Sequence, residues 1–180
     1  MDKALEELTL SARVINGKEA QPSMMIVDSK RVKNAFTAAE KGYDGGKKIS
    51  GIKVPLGVDT LGLPHSIGVT TAEVGDRTGA LQMLGRYAPK LARVVKVLGD
   101  GGYSGENFAN AVMSLLNAEV EIVKRNELHT FVVFPKRWVV ERSLGWLDHF
   151  RRLWKNCERK LCNVHQMLVL AFISLLLPRY

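Results

Sequence analysis

Met24-Met25-Ile26-Val27-Asp28 is the stretch of sequence that decides the fold of this chain. Its four apolar residues have the length and composition of a β-strand, and the lack of polar alternation predicts a central strand buried on both faces. Val94-Val95-Lys96-Val97-Leu98 predicts a second strand, which ends in Gly99-Asp100. Ligand sites in open α/β sheets gather at the carboxyl ends of strands. Asp28 and Asp100 are therefore the first candidate site residues.

The segment between these two strands predicts a hairpin followed by a helix. Residues 51–59 and 65–71 have strand character, and the turn between them contains Gly and Pro, which is typical of antiparallel strands joined by a longer loop. Asp76 is predicted to be the N-cap of the next helix. Ser104 is predicted to cap another helix, which follows Asp100.

The remaining apolar patterns complete an α/β chain. Residues 120–123 predict a strand, a long amphipathic helix is predicted to begin near Lys136, and an apolar helix covers about 163–177. This alternation predicts a mixed five-stranded sheet flanked by helices. Residues 1–23 are polar and show no pattern beyond one turn of helix. They are predicted to be a linker or the remnant of an N-terminal region, with one α/β domain covering 24–180.

Composition and charge limit the classes of function. Hydrophobic residues make up 46% of the chain and charged residues 24%, as in globular proteins. The net charge of +8 favours a polyanionic partner, with simple solubility as the alternative. The apolar run at 167–177 is shorter than the roughly 20 residues that span a bilayer, so no membrane partner is expected. Two cysteines without a disulfide framework indicate a reducing cytoplasm.

Asp28, Asp100 and Glu141 form a candidate metal-binding constellation. If the strands that precede the two aspartates are neighbours, their carboxylates lie side by side, and a helix packed across that edge could add Glu141. Three carboxylates so close repel one another unless divalent cations bind between them. Oxygen ligands suit Mg²⁺, and two such ions can activate an attacking oxygen and stabilise a leaving one. Taken singly, each acid also fits a structural role in a turn or at a helix start.

The segment around Glu141 is strongly cationic. Arg137, Glu141, Gly145, Asp148 and Arg152 share one predicted helix face, because they are spaced three or four residues apart. Arginines on that face could bind DNA phosphates without reading sequence. A solvated helix face is the alternative, and Arg137 could instead orient the carboxylate one turn away. The candidate DNA-binding residues are Arg137, Arg142, Arg151, Arg152, Lys47 and Lys48.

Several segments, from about Met24 to Lys160, together resemble the DDE transposases of small bacterial insertion sequences, whose catalytic domain has a ribonuclease H-like fold. The segments include Ile26-Val27-Asp28-Ser29, Val58-Asp59-Thr60-Leu61-Gly62-Leu63, Asp76-Arg77-Thr78-Gly79-Ala80, Asp100-Gly101-Gly102-Tyr103-Ser104-Gly105 and Trp138-Val139-Val140-Glu141-Arg142. The family's glutamate signature has a tyrosine seven positions before the glutamate and often a lysine seven positions after it. This chain has Phe134 and Asp148 there, and Asp148 removes one expected DNA contact.

The resemblance implies a metal-dependent enzyme that cleaves DNA at the ends of a mobile element and transfers the strand into target DNA by a two-metal-ion mechanism. Asp28, Asp100 and Glu141 would be the catalytic metal ligands, with Mg²⁺ as cofactor and Mn²⁺ as the alternative. A plain ribonuclease H-like nuclease and a truncated, catalytically inactive DNA-binding remnant are the alternative functions. The implied partners are DNA, a second copy of the chain on DNA and a separate protein from an upstream reading frame. The implied location is the cytoplasm, at the nucleoid.

A zinc site is a weaker hypothesis. Cys157, Cys162 and His165 match no standard zinc spacing, and no fourth ligand is evident in the sequence. Ordinary buried or surface thiols are the preferred interpretation.

Overall fold

The computed structural model describes residues 1–123 and 137–178, and it describes only the backbone of Arg137. The strands in this part are β1 (Met24–Lys33), β2 (Gly42–Asp44), β3 (Ile49–Val58), β4 (Pro64–Ile67), β5 (Thr70–Thr71), β6 (Lys96–Gly99) and β7 (Glu119–Ile122). The α-helices are α1 (Asp2–Ile15), α2 (Asp76–Tyr87), α3 (Glu106–Leu116), α4 (Arg137–Trp146), α5 (Arg151–Trp154) and α6 (Leu161–Leu176). None of the helices in the described ranges is long and apolar enough to cross a membrane.

The strands form one mixed sheet with β1 at its centre. The main path of the sheet is β2-β3-β1-β6-β7, and the short strands β4 and β5 pair with β3. β1 is antiparallel to β3 and parallel to β6, and β6 is parallel to β7. The mixed sheet and the antiparallel pairing of the predicted hairpin, now β3 and β4, are both confirmed. In the described residues the sheet has seven strands where five were predicted, because β2 is added and the predicted strand over 65–71 is divided into β4 and β5.

Helices cover both faces of this sheet, so β1 is buried on both sides as predicted. Ile26 packs into a core shared with α1, α4 and α6. Its neighbours Met25 and Val27 point to the other face and pack against α2 and α3. Successive side chains of a strand alternate between faces, so a strand between two helical layers needs an unbroken apolar run.

β1 does not end at Asp28, as the sequence pattern had predicted, but continues to Lys33. Its pairing with β3 is regular from Ile26 opposite Val58 to Lys33 opposite Gly51. Hydrogen bonds between backbones maintain this ladder, so polar side chains do not end it. Asp28 therefore lies within the strand and is half-buried.

The N-terminal residues form far more than one turn of helix, so that prediction is wrong. Helix α1 has 14 residues and buries Leu5, Thr9, Ala12 and Arg13. Its closest packing partners are α6 and β4, so the helix belongs to the same core as β1. The polar residues between the buried positions obscured the pattern, because only one stripe of the helix is covered. The domain division at residue 23 stays a prediction.

The long helix predicted from Lys136 is interrupted. Its predicted start lies outside the described residues, α4 ends at Trp146, and a 3₁₀ turn over Leu147–His149 leads into extended backbone at Phe150. Because of this break, Glu141 and Arg152 do not share the one continuous helix face that the sequence had predicted. Trp154 is 68% exposed rather than buried on the apolar side.

Both helix caps predicted from the sequence are wrong. Gly75 and Gly105 occupy the N-cap positions of α2 and α3. The Asp76 carboxylate instead accepts a hydrogen bond from the Ser29 hydroxyl at 2.9 Å. The Ser104 hydroxyl donates to the carbonyl oxygen of Gly101 at 2.8 Å. The two side chains that local propensity predicted as helix caps instead form a long-range hydrogen bond, in Asp76, and a hydrogen bond within a turn, in Ser104.

Candidate active site

Asp28 and Asp100 lie at matching positions on adjacent strands. β1 and β6 run parallel, and their last registered pair is Ile26 with Leu98. Each aspartate follows two residues later, and the backbone of Asp100 is still extended, with φ −83° and ψ −178°. Neighbouring strands are about 5 Å apart, so the two residues lie side by side, Asp28 within β1 and Asp100 just after the end of β6.

The two aspartates also shape the local backbone. The Asp28 carboxylate accepts a hydrogen bond from the Ser29 amide at 2.7 Å. Asp100 accepts one from the Gly102 amide at 2.8 Å and caps the 3₁₀ turn Gly101–Tyr103 that follows β6. A Cβ atom at Gly102 would lie 2.9 Å from Asp100 Oδ1, so a side chain at this position would crowd the carboxylate.

Tyr103 lies beneath this edge and was not singled out by the sequence as a site residue. It is 2% exposed, and its ring packs against Phe108 with the centroids 5.6 Å apart. Burial raises the pKa of its hydroxyl well above the ordinary value, and the negative charges of Asp28, Asp76 and Asp100 raise it further. The influence of all three carboxylates on one hydroxyl supports their grouping at this edge of the sheet.

Asp76 is a third carboxylate near this edge, and cations compensate its charge. Arg31 Nη2 donates to it at 2.9 Å, and Lys53 Nζ is 3.4 Å away. Arg31 also donates to Asp44 at 2.7 Å. The cluster braces β1, β3 and the start of α2, which favours a structural role for Asp76.

Helix α4 carries Glu141 over the same face of β1 that bears Asp28. Alternation along the strand places Lys30 on the face of Asp28, and Lys30 Nζ donates to the carbonyl oxygen of Leu144 at 3.4 Å. Glu141 lies about one turn before Leu144 on α4 and has an exposed side chain. Buried Val140 and Leu144 fix this helix against the sheet.

The donor atoms fit a hard divalent cation, although the described residues do not enclose one. Carboxylate oxygens are the ligands that Mg²⁺ and Mn²⁺ prefer. Within 1–123 and 137–178, no three His, Cys, Asp or Glu side chains are grouped closely enough to hold a metal ion. The pair of aspartates therefore fits the cation by position and chemistry, and convergence of all three carboxylates on it stays a prediction.

The predicted DNA-binding residues are dispersed. Arg151 is exposed on α5, whereas Arg152 donates to Glu158 at 2.6 Å. Lys47 and Lys48 are exposed in the turn before β3, at the end of that strand far from Asp28. Lys48 precedes Leu56, the strand partner of Asp28, by eight residues, which is about 26 Å along the strand. The turn lysines are therefore too remote for the phosphate that reacts.

Arg142 is held by contacts within the protein itself. The guanidinium of Arg142 lies 4.7 Å from the ring centroid of Trp138 and 4.9 Å from that of Trp146. Its Nη2 donates to the carbonyl oxygen of Leu61 at 2.8 Å. The side chain of Arg137 and the family position Phe134 lie outside the described residues.

The sequence of this chain matches the transposase DDE domain family over residues 19–177. The chain belongs to this family. A Burkholderia cepacia protein described as a transposase for insertion sequence element IS402 is 34% identical over 122 residues, which are 64% of this chain and 57% of that protein. The chain thus spans little more than half the length of this relative.

The predicted ribonuclease H-like fold of the DDE domain is confirmed by a solved structure. The catalytic domain of Mos1 mariner transposase superposes with a TM-score of 0.52 at 15% identity. The match covers 96% of this chain and 79% of the Mos1 chain. At that identity, the likeness concerns the fold alone.

One departure from the family signature has a structural counterpart in this DDE domain. Asp148, at the position where the family often has a lysine, forms an ion pair with Lys30 on β1. Lys30 lies two residues after Asp28 and on the same face of the strand. A positive charge is therefore present beside α4, although it is contributed by β1.

Proposed function

We propose that this DDE domain cleaves DNA at the ends of a mobile element and transfers the freed strand end into target DNA. Asp28, Asp100 and Glu141 would hold the divalent cations that the reaction uses. The observation that carries the proposal is the matched position of Asp28 and Asp100 on adjacent parallel strands, with α4 packed over the face that bears Asp28.

The chemistry follows from the charge of the site. A phosphodiester and three carboxylates repel one another, so the substrate needs divalent cations to approach this edge of the sheet. Bound Mg²⁺, with Mn²⁺ as the alternative, would lower the pKa of a coordinated water or hydroxyl and stabilise the leaving oxygen. The protein supplies the oxygen ligands and fixes their positions.

DNA is the proposed partner because the chain exposes an excess of basic side chains. Between Arg151 and Lys160 the exposed basic side chains outnumber the acidic ones, and the chain as a whole carries a net charge of +8. Exposed arginines bind phosphates without reading sequence. We further propose that the protein acts at the nucleoid in the cytoplasm, as a homodimer on DNA or with a separate upstream-frame protein.

The function can be tested with purified protein and labelled DNA duplexes that carry the two ends of the encoding element. With Mg²⁺, the wild type should nick the element end, leave a 3′-hydroxyl and join it to a target plasmid. Asp28→Asn, Asp100→Asn and Glu141→Gln should each lower cleavage at least about 10³-fold, because each removes a ligand charge and keeps the side-chain shape. DNA binding without metal should remain within about twofold of the wild type.

A matched control is Glu7→Gln, which removes an exposed carboxylate on α1 and should retain full cleavage. Nicking without strand transfer would identify a plain nuclease. DNA binding without any nicking would identify an inactive remnant. Full activity in one of the three carboxylate variants would remove that residue from the catalytic set.

A further inference from the structure

Arg142 follows Glu141 directly, and its contacts differ from those of a DNA-binding arginine. We propose that Arg142 is a positioning residue, which clamps α4 onto the loop Asp59–Leu63 and so sets the place of Glu141. This inference rests on the proposed function for its catalytic consequence. The clamp itself is a property of the fold and can be tested without any reaction.

The Arg142 guanidinium lies over two aromatic rings. Trp138 and Trp146, one turn before and one turn after Arg142 on α4, place their ring centroids 4.7 Å and 4.9 Å from its central carbon. Stacking of this kind attracts the cation and holds its plane in one orientation. One edge donates to the carbonyl oxygen of Leu61 at 2.8 Å. An arginine used in this way has little freedom to bind a phosphate.

Ser143 provides a second point of attachment to the same loop. Its hydroxyl is buried and donates to the carbonyl oxygen of Gly62 at 2.8 Å. Gly62 has a φ of +87°, and a Cβ atom there would lie 2.8 Å from Arg142 Nη2 and 2.9 Å from Ser143 Oγ. A side chain at this position would therefore strain the backbone and push α4 away from the loop.

The loop is also held by contacts that do not involve α4. The buried Asp59 carboxylate accepts hydrogen bonds from the amides of Leu61 and Leu63 at 2.8 Å and 3.0 Å. Its other oxygen accepts from Arg13 on α1 and lies 3.2 Å from His65 Nε2. The Asp59 carboxylate thus orients the carbonyl groups that accept hydrogen bonds from Arg142 and Ser143. Arg13 on α1 in turn holds that carboxylate in place.

The catalytic consequence follows from helix geometry. A shift of one residue in the docking of α4 would move Glu141 by about 1.5 Å along the axis and turn it by about 100°. Misplacement of a reacting group by about 1 Å can lower a rate about 10²-fold. Two hydrogen bonds to consecutive carbonyl groups exclude such a shift, because both donors must meet their acceptors together.

The test uses Arg142→Gln and Arg142→Lys, with Arg86→Gln as the matched control. Arg86 is an exposed arginine on α2 whose guanidinium lies 6.0 Å from the Tyr87 ring. Both Arg142 variants should increase hydrogen exchange of the α4 amides at least about tenfold and reduce the cleavage rate constant about 10–100-fold. The slope of log DNA affinity against log salt should be unchanged, and lysine should not rescue cleavage. The control should behave as the wild type.

A phosphate contact would give the opposite result. The salt slope of Arg142→Gln would fall by about one unit, lysine would restore it, and exchange in α4 would not change; this result would overturn the proposal. Gly62→Ala provides a second variant that leaves every charge in place, and it should loosen α4 in the same way. Unchanged exchange in Gly62→Ala would also count against the clamp. Absence of cleavage by the wild type would contradict the proposed function. The hydrogen-exchange and salt-slope measurements would still test whether Arg142 clamps α4 onto the loop.

Discussion

Replacement of Asp59 by asparagine should be the most destabilising of the conservative changes around the active-site face. Asp59 is fully buried, and its carboxylate contacts Arg13, which is 6% exposed, and His65. Burial tends to raise the pKa of Asp59, but the hydrogen bond and charge of His65 and the hydrogen bond from Arg13 lower it on balance. The carboxyl group is therefore ionised at neutral pH and balances a buried guanidinium.

The expected loss of stability is large because only one member of the pair is removed. Asparagine can still accept from the amides of Leu61 and Leu63, but the charge of Arg13 stays buried without its anion. Breaking a buried ion pair in this way costs about 3–5 kcal/mol. The free energy of unfolding of a domain is about 5–15 kcal/mol, so the change removes a considerable part of it. With a urea m-value of about 2 kcal/mol/M, the unfolding midpoint should fall by about 2 M.

Urea unfolding at pH 7, followed by circular dichroism, measures this difference. Asp148→Asn is the matched control: its ion pair with Lys30 involves a side chain that is 50% exposed, and its loss should cost about 0–1 kcal/mol. A loss below about 1 kcal/mol for Asp59→Asn would refute the reasoning, because Arg13 would then not depend on the carboxylate.

The pH dependence of this difference has a definite sign. The pKa of Asp59 is lower in the folded than in the unfolded state, so the carboxylate stabilises the fold above the unfolded value of about 3.9. That contribution is lost as the pH falls through the folded pKa. The gap between wild type and Asp59→Asn should therefore shrink only in acid, and a gap that narrows between pH 7 and pH 5 would contradict the assignment.

Three further predictions concern DNA affinity, helix stability and tyrosine titration. Arg151→Ala should lower the slope of log DNA affinity against log salt by about one unit, whereas Lys3→Ala on α1 should leave it unchanged. A wild-type slope in Arg151→Ala would show that Arg151 does not contact a phosphate. Gly145→Ala should raise the free energy of unfolding by about 0.5–1 kcal/mol, because a Cβ at this exposed helical position meets nothing within 4 Å. Burial raises the pKa of Tyr87 to about 12 and that of Tyr103 beyond it, so absorbance at 295 nm should rise in two stages. Stability should fall as the pH rises from about 10 through these folded values, and a single stage near pH 10 would refute both shifts.

The central strand and the two aspartates could be predicted from the sequence because their signals are local. An unbroken apolar run such as Met25–Val27 fits only a strand covered on both faces. Asp28 and Asp100 each follow such a run, and α/β sheets place ligands at this edge. The same argument could not show where β1 ends, since the ladder with β3 continues through Ser29, Lys30 and Arg31 by backbone hydrogen bonds.

The role of a charged side chain depends on partners that are distant in sequence. Arg142 and Arg151 look alike in the sequence, as basic residues of a cationic segment. Only the fold brings Leu61, 81 residues away, to the guanidinium of Arg142 and leaves Arg151 exposed. The sequence could identify the cationic segment, but it could not assign its members to DNA or to the protein.

Local patterns thus predicted the central strand, the mixed sheet and the three candidate acids, because periodicity and composition act over a few neighbouring residues. Tertiary packing decided the rest. α1 packs into the core through Leu5 and Ala12, and its Arg13 contacts Asp59, 46 residues away; no local pattern records these contacts. The helix that carries Glu141 ends at Trp146, and the backbone is extended at Phe150, although apolar residues continue at helical spacing beyond Trp146. Such contacts form only when distant segments pack together, so their energies do not appear in any short stretch of the sequence.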